Sequence, residues 1–303
     1  MFLEYHKNNV RETTFSSSKY EVSYSMNFFK DYFIKDIKVL DLQNFINSLK
    51  LSPSTIKLVF NKVKQVFSFG NDIAEIINYS PNFKKVILPT VNSKVRTDIL
   101  TEDEINTILN DYKNTIYYYI FQTAINTGMR RGEILALTWD KIDFENNIIT
   151  VNKSLTRFNK ITLPKNNSSI REVPLNNSLK NLLLELKKFN KNKINYSLKG
   201  NEITISNNND YDFLFRNEYG GFVSISNVNS IFGNHYNYKY HFHQFRHYFA
   251  TKLINAGIPI AEVAKILGHA QISTTLKMYV GTSKSENIIN KLDDIFGQQM
   301  DNK

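Results

Sequence analysis

The 303-residue chain contains no cysteine. That absence removes disulfides, zinc–thiolate centres and a thiol nucleophile together, and it fits a reducing, cytoplasmic setting. No apolar run approaches the roughly 18 residues needed to cross a bilayer. The opening MFLEYHKNNV lacks the basic segment and apolar stretch of a secretory signal. No P-loop pattern is present, and no internal repeat organises the chain. The bulk make-up is ordinary, 42% hydrophobic and 22% charged, as in a folded soluble protein long enough for about two domains.

Acidic residues are outnumbered, and the net charge is +10. The surplus is even: residues 1–100 hold 14 Lys+Arg against 9 Asp+Glu, and the remainder 24 against 19. A polyanion such as nucleic acid could touch both halves. An AT-rich genome favouring Lys, Asn and Ile produces the same excess, so charge alone does not separate the two readings.

Residues 1–85 carry apolar residues at three-to-four spacing and read as a small helical bundle. SPSTIKLVFNKVKQVFSFGNDIAEII opens with an N-cap serine and a first-turn proline and continues as one long amphipathic pattern. Lys57, Lys62 and Lys64 fall on or near its polar side, either a DNA face or simply a solvated one. Residues 86–100, with Pro89 and a run of polar and basic side chains, read as a linker. Thr101 and Glu104 then form a capping box, and helical periodicity covers about 102–138. NNIITVNKSLTR reads as strand. KITLP and SSIREVPL read as two arms of a hairpin flanking Lys165, Asn166 and Asn167. NSLKNLLLELKKF is helical, LKGNEITISNNNDYD is loop-rich, and helices dominate from about 224.

Five of the six histidines fall between positions 235 and 269. Such a cluster ordinarily points to metal, and His241, His243, His247 and His269 are available. Arg246, a permanent cation, stands among them with no carboxylate beside it, so a divalent cation there would be costly. His243 and Arg246 lie three apart and share a helical face. A guanidinium offers a planar fork for two phosphate oxygens, and an imidazole beside it can donate or move a proton. Histidines merely packed along a helix are the other alternative. Gly128 breaks a helix just ahead of Arg130, where a new helix start and a cation attract an anion; a plain surface arginine pair gives the same residues. Gly268 ends a helix in the left-handed conformation, which puts His269 in a turn and Tyr279 on the next short helix. Taken singly, Tyr279 is one of 17 tyrosines, most of which serve packing.

The order and spacing of these pieces resemble the tyrosine recombinases, or phage-type integrases, over nearly the whole chain. The first box is Thr127-Gly128-Met129-Arg130-Arg131-Gly132-Glu133. The lysine box is LPKNNSSIREVPL, with Lys165. The third is His243-Gln244-Phe245-Arg246-His247, and Leu267-Gly268-His269 is followed ten residues later by Tyr279. Gln244 stands where an acidic residue is usual and Phe245 where leucine is. The resemblance implies a mainly α fold with a small antiparallel β-sheet. It implies a helical, SAM-like core-binding domain over 1–85, a linker over 86–100, and a catalytic domain with a C-terminal helix over 101–303. Members that bind arm sites carry a further small domain ahead of the core-binding one; here the likeness begins near residue 1, which implies simple sites or a shortened chain.

The same resemblance assigns roles. Arg130 and Arg246 clamp the nonbridging oxygens of a DNA phosphodiester, and Tyr279 attacks it. Its phenol has an unperturbed pKa of about 10, so His243 serves as base. His269 donates to a nonbridging oxygen, Lys165 protonates the departing 5′ oxygen, and Glu133 orients its neighbours. No cofactor and no metal are implied. The implied partners are a double-stranded recombination site, three further copies of the chain, and accessory directionality or DNA-bending proteins, but no membrane. Ile288, Ile289, Leu292, Ile295 and Phe296 form a stripe on the C-terminal helix that would dock on a neighbouring protomer. The implied function is integration and excision of a mobile element in a prokaryotic cytoplasm. The alternatives are an Xer-like resolvase of chromosome or plasmid dimers, a non-catalytic regulator on the same scaffold, and a type IB topoisomerase.

Overall fold

The computed structural model describes residues 1–90, 99–163, 170–191, 212–217, 220–269 and 271–279, without the side chains of 189–191, 274 and 277–279. The chain forms two compact units, Met1–Lys94 and Val95–Lys303, mainly helical with small antiparallel sheets.

The first unit holds α1 (Phe2–Asn9), α2 (Glu12–Phe28), α3 (Val39–Ser48) and α4 (Pro53–Ser68). Ser52 caps α4, its side chain accepting from Thr55 N at 3.3 Å, with Pro53 in the first turn. The apolar stripe of α4, Ile56, Val59, Phe60, Val63 and Phe67, shares one core with Leu42, Phe45 and Ile46 of α3. Each such side chain contributes about 1.5–3 kcal/mol by burial. The helix does not run on through the pattern that follows. After Ser68 it loosens into a π-helical turn, Phe69–Ile73, and Ile73 and Ile76 face solvent.

Lys62 corrects the expected polar face. It is buried, with Nζ 2.8 Å from Gln65 Oε1 and 3.8 Å from Glu21 Oε2, because α2 packs along that side of α4. Lys57 is exposed, and Lys64 lies over the Phe60 ring at 4.6 Å. Of the expected linker, Val86 and Leu88 join the first unit's core, and Gln43 bonds both the N–H and the carbonyl of Ile87. Residues 91–98 lie outside the described residues.

The second unit opens with α5 (Glu102–Asp111), whose capping box is formed in both directions: Glu104 N to Thr101 Oγ1 at 3.2 Å, Thr101 N to Glu104 Oε2 at 3.0 Å. The helical stretch expected to 138 is three helices, α5, α6 (Ile116–Thr127) and α7 (Arg131–Leu135). Five short strands follow: β1 (Ile142–Asp143), β2 (Ile148–Val151), β3 (Ser154–Leu155), β4 (Ile161–Thr162) and β5 (Arg171–Pro174).

The two segments flanking Lys165 do not pair with each other among the described residues, contrary to the hairpin expected there. β4 folds back on β3, closed by Thr156 N to Lys160 O at 2.9 Å with Asn159 at φ 58. β5 pairs antiparallel with β2, Ile149 opposite Val173. Helices α8 (Asn177–Lys191), α9 (Ile225–Asn234), α10 (His243–Asn255), α11 (Ile260–Leu267) and α12 (Ile272–Tyr279) complete the unit. Lys165, the loop-rich stretch after α8 and the apolar stripe from Ile288 to Phe296 lie outside the described residues.

The core beneath α10 is aromatic. Phe245 is fully buried, its ring 5.5 Å from Phe121 and 5.6 Å from Phe242, so phenylalanine in leucine's usual place is packed on several sides. Gln244 Oε1 accepts from His241 N at 2.6 Å, an N-terminal bond that an acidic side chain would also supply.

Candidate active site

Two helices end where the site begins. Gly128 closes α6 at φ 59 and Gly268 closes α11 at φ 68, the left-handed geometry that glycine adopts without a Cβ clash. The last carbonyls of a helix have no partner inside it and carry its negative dipole end. Arginines take up those of α11 in sequence. Arg171 Nε donates to Ile266 O at 2.7 Å, Arg246 Nη2 to Leu267 O at 2.6 Å, and Arg130 Nη2 to Gly268 O at 3.2 Å. Arg246 also donates from Nη1 to Gly128 O at 2.9 Å, tying the two helix ends together.

Glu133, on α7, is the carboxylate enclosed by this group. It accepts from Arg171 at 3.1 and 2.7 Å, from Arg130 Nη1 at 3.0 Å and from Arg130 N at 2.8 Å. Burial alone would raise its pKa; the bonds and charge of Arg171, then those of Arg130, outweigh burial and hold it below the usual range. Glu133 is therefore an ionised strut whose oxygens are occupied.

His243 starts α10 and Arg246 follows one turn later. The His243 pKa is lowered to about 4, by burial first, then by His247, Arg246, Arg130 and Arg131. His269 is likewise lowered to about 4, by burial, Arg246, Arg130, His243 and Arg171. Both rings are neutral near pH 7, so His243 has a lone pair available. His269 Nδ1 is 2.7 Å from the buried hydroxyl of Thr275, which leaves Nε2 to face a ligand. When Thr275 is the donor in that bond, the ring proton sits on Nε2. Arg246 is lowered to about 9 by burial, then Arg130, and stays cationic at neutral pH.

Arg130, His243, Arg246 and His269 are thus brought together. Tyr279 ends α12, which packs against α10 and α11; its side chain and all of Lys165 lie outside the described residues. A cleft of about 600 Å³ opens beside Arg130, Arg131, Ser154, Asn229, His243 and Arg246, and no carboxylate among the described residues lines it. Among the described residues no three His, Asp or Glu side chains gather as metal ligands. Arg171 and Thr275 were not singled out from the sequence. Arg171 had a signal: it alternates with Glu172 on a strand whose other inward residue is Val173, and a cation at an inward position requires an anion. Thr275 had none.

The sequence matches the phage integrase family model over residues 98–286, and the N-terminal SAM-like domain model of phage integrases over residues 1–50. The chain belongs to the phage integrase family. These are the tyrosine recombinases, which break and rejoin DNA through a tyrosine. It is 30% identical over 287 residues to a tyrosine recombinase XerC-like protein of Caldanaerobacter subterraneus, covering 87% of this chain and 72% of that one. It is 26% identical to the ICEBs1 integrase of Bacillus subtilis, covering 88% and 74%. In fold it resembles the Tn1549 transposon integrase in complex with a circular intermediate DNA, with a TM-score of 0.73 at 21% identity over 96% of both chains. A lambda integrase dimer bound to a core site gives a TM-score of 0.65 at 16% identity over 91% of both chains.

Proposed function

We propose that this recombinase integrates and excises a mobile element, with Tyr279 as nucleophile and Arg130, Lys165, His243, Arg246 and His269 completing the catalytic set. The observation that carries the reading is the convergence of two arginines and two neutral histidines at the paired ends of α6 and α11. The Tyr279 oxygen attacks the scissile phosphorus, passing its proton to His243. The P–O bond to the 5′ carbon breaks as the 3′-phosphotyrosine bond forms, and Lys165 protonates the departing oxygen. Charge growing on the nonbridging oxygens meets Arg130, Arg246 and the Nε2–H of His269. The ester retains the bond energy, so religation needs no nucleotide.

The first unit serves as the core-binding domain and the second as the catalytic one. The working assembly is a tetramer on two duplexes, joined through the apolar stripe from Ile288 to Phe296. The sequence likeness to the ICEBs1 integrase favours mobile-element recombination. A second reading, dimer resolution, rests on the XerC-like relative.

The test is a nicked suicide duplex of the flanking attachment site, incubated in EDTA and run on a denaturing gel. Wild type gives a covalent protein–DNA band and Tyr279→Phe none. Absence of the band with wild type on DNA it binds would favour the regulator. Recombination of two matched sites, rather than supercoil relaxation alone, separates a recombinase from a topoisomerase.

A further inference from the structure

Arg130 and Arg131 are neighbours in sequence and point to different partners. Arg130 turns to Glu133 and Gly268. Arg131 turns to α9, where Nη1 donates to Asn229 Oδ1. Its Nε is buried and has no hydrogen-bond partner among the described residues. Burial depresses the Arg131 pKa, and no carboxylate opposes that shift. Arg171 and Arg130 share Glu133, and Arg246, whose Nε is likewise unpartnered, has two helix-end carbonyls; among the described residues Arg131 has one neutral amide oxygen. A half-buried cation with an unused donor is unfavourable unless an anion arrives from outside.

The surroundings identify the anion's class. Arg131 lines the same cleft as Arg130 and Arg246, and the polar part of the wall beyond it is Ser154, Asn229, Tyr238 and His241. Every polar group of that wall can donate a hydrogen bond, and none is an acid. Apolar Ile225, Phe232 and Phe242 also line the cleft, but its charge is carried by Arg130, Arg131 and Arg246 with no acid among the described lining residues, which favours an anion. Two arginines rooted on adjacent Cα atoms, about 3.8 Å apart, and turned to opposite partners cannot share one phosphate as a fork does. They suit two successive phosphates of one strand.

We infer that Arg131, braced by Asn229, seats the backbone phosphate next to the scissile one, as a phosphate contact separate from the catalytic clamp. The inference rests on the recombinase reading above. It makes Arg131 a register-setting group: by fixing the neighbouring phosphate it fixes which phosphodiester faces Arg130 and Arg246.

The test uses full-length wild type, Arg131→Gln and Asn229→Ala on duplexes of the attachment site. One duplex set carries a single neutral methylphosphonate at the phosphate adjacent to the cut. Affinity is measured across a salt series. With Arg131→Gln, the slope of log K against log salt becomes shallower by about one phosphate's worth. The methylphosphonate weakens wild-type binding about tenfold and weakens Arg131→Gln hardly at all. Asn229→Ala keeps the charge, so its salt slope stays at the wild-type value while its methylphosphonate penalty shrinks. Equal methylphosphonate penalties in wild type and Arg131→Gln overturn the inference, as does an unchanged salt slope in Arg131→Gln. Covalent capture by wild-type Tyr279 is scored in parallel. Loss of that capture fails the recombinase reading, whereas capture with no Arg131 coupling fails only this one.

Discussion

Lys62 in the first unit and Arg246 in the second are both long cations almost withdrawn from solvent, 8% and 2% exposed, yet their surroundings differ in kind. Lys62 meets one carboxylate, Glu21, and one amide, Gln65. Its charge is balanced and nothing is left over. Around Arg246 stand Arg130 and Arg171 with, among the described residues, a single carboxylate, Glu133, between them, and other donors go to carbonyl dipoles. Dipoles satisfy donors without cancelling charge. The first arrangement closes a seam between helices; the second keeps a positive field aimed at a cleft. Burial of a cation is therefore uninformative until its neighbours are counted.

Three variants probe that contrast. The largest effect is expected at Glu133. Glu133→Gln leaves Arg130 and Arg171 facing each other without an anion, and removing one member of a buried pair costs about 3–5 kcal/mol. Urea unfolding reads this directly, and a loss below about 1 kcal/mol would mean the carbonyls alone restrain the arginines. Next is Arg246→Lys. An ammonium keeps the charge but cannot span Gly128 O and Leu267 O together, so covalent-complex formation on the suicide duplex should fall by about 10²–10³-fold, the usual loss of an oxyanion donor. A fall of less than tenfold would make charge, rather than aim, the contribution of this residue. The smallest effect belongs to the first unit. Lys62→Met with Glu21→Gln removes a balanced pair, and stability should change by less than about 1 kcal/mol. A large loss there would show that the pair holds α2 to α4.

The sequence made legible whatever local chemistry dictates. Gly128 announced a helix break, Gly268 a left-handed helix end, Thr101 and Glu104 a capping box, Ser52 and Pro53 a helix start, and each lies where expected. The spacing of the four boxes named the family, because phosphate chemistry needs particular side chains at particular turns. What escaped is nonlocal. The burial of Lys62 depends on α2, some forty residues upstream, lying along its side of α4. The arms around Lys165 found strand partners elsewhere, since β3 and β4 close on a nearer turn. Arg171 meets its anion 38 positions back in the chain, a pairing that periodicity does not encode.

The three carbonyls at the end of α11 carry one more consequence. Because Ile266, Leu267 and Gly268 hold the arginines by main-chain oxygens, the aim of the site is stored in the path of the backbone. Side chains along α11 can drift without turning an arginine away. The backbone path itself admits no side chain at Gly128: a Cβ there would stand 2.4 Å from the Phe249 ring, at a φ of 59. A position that performs no chemistry is thereby bound to sequence identity as tightly as the residues that do.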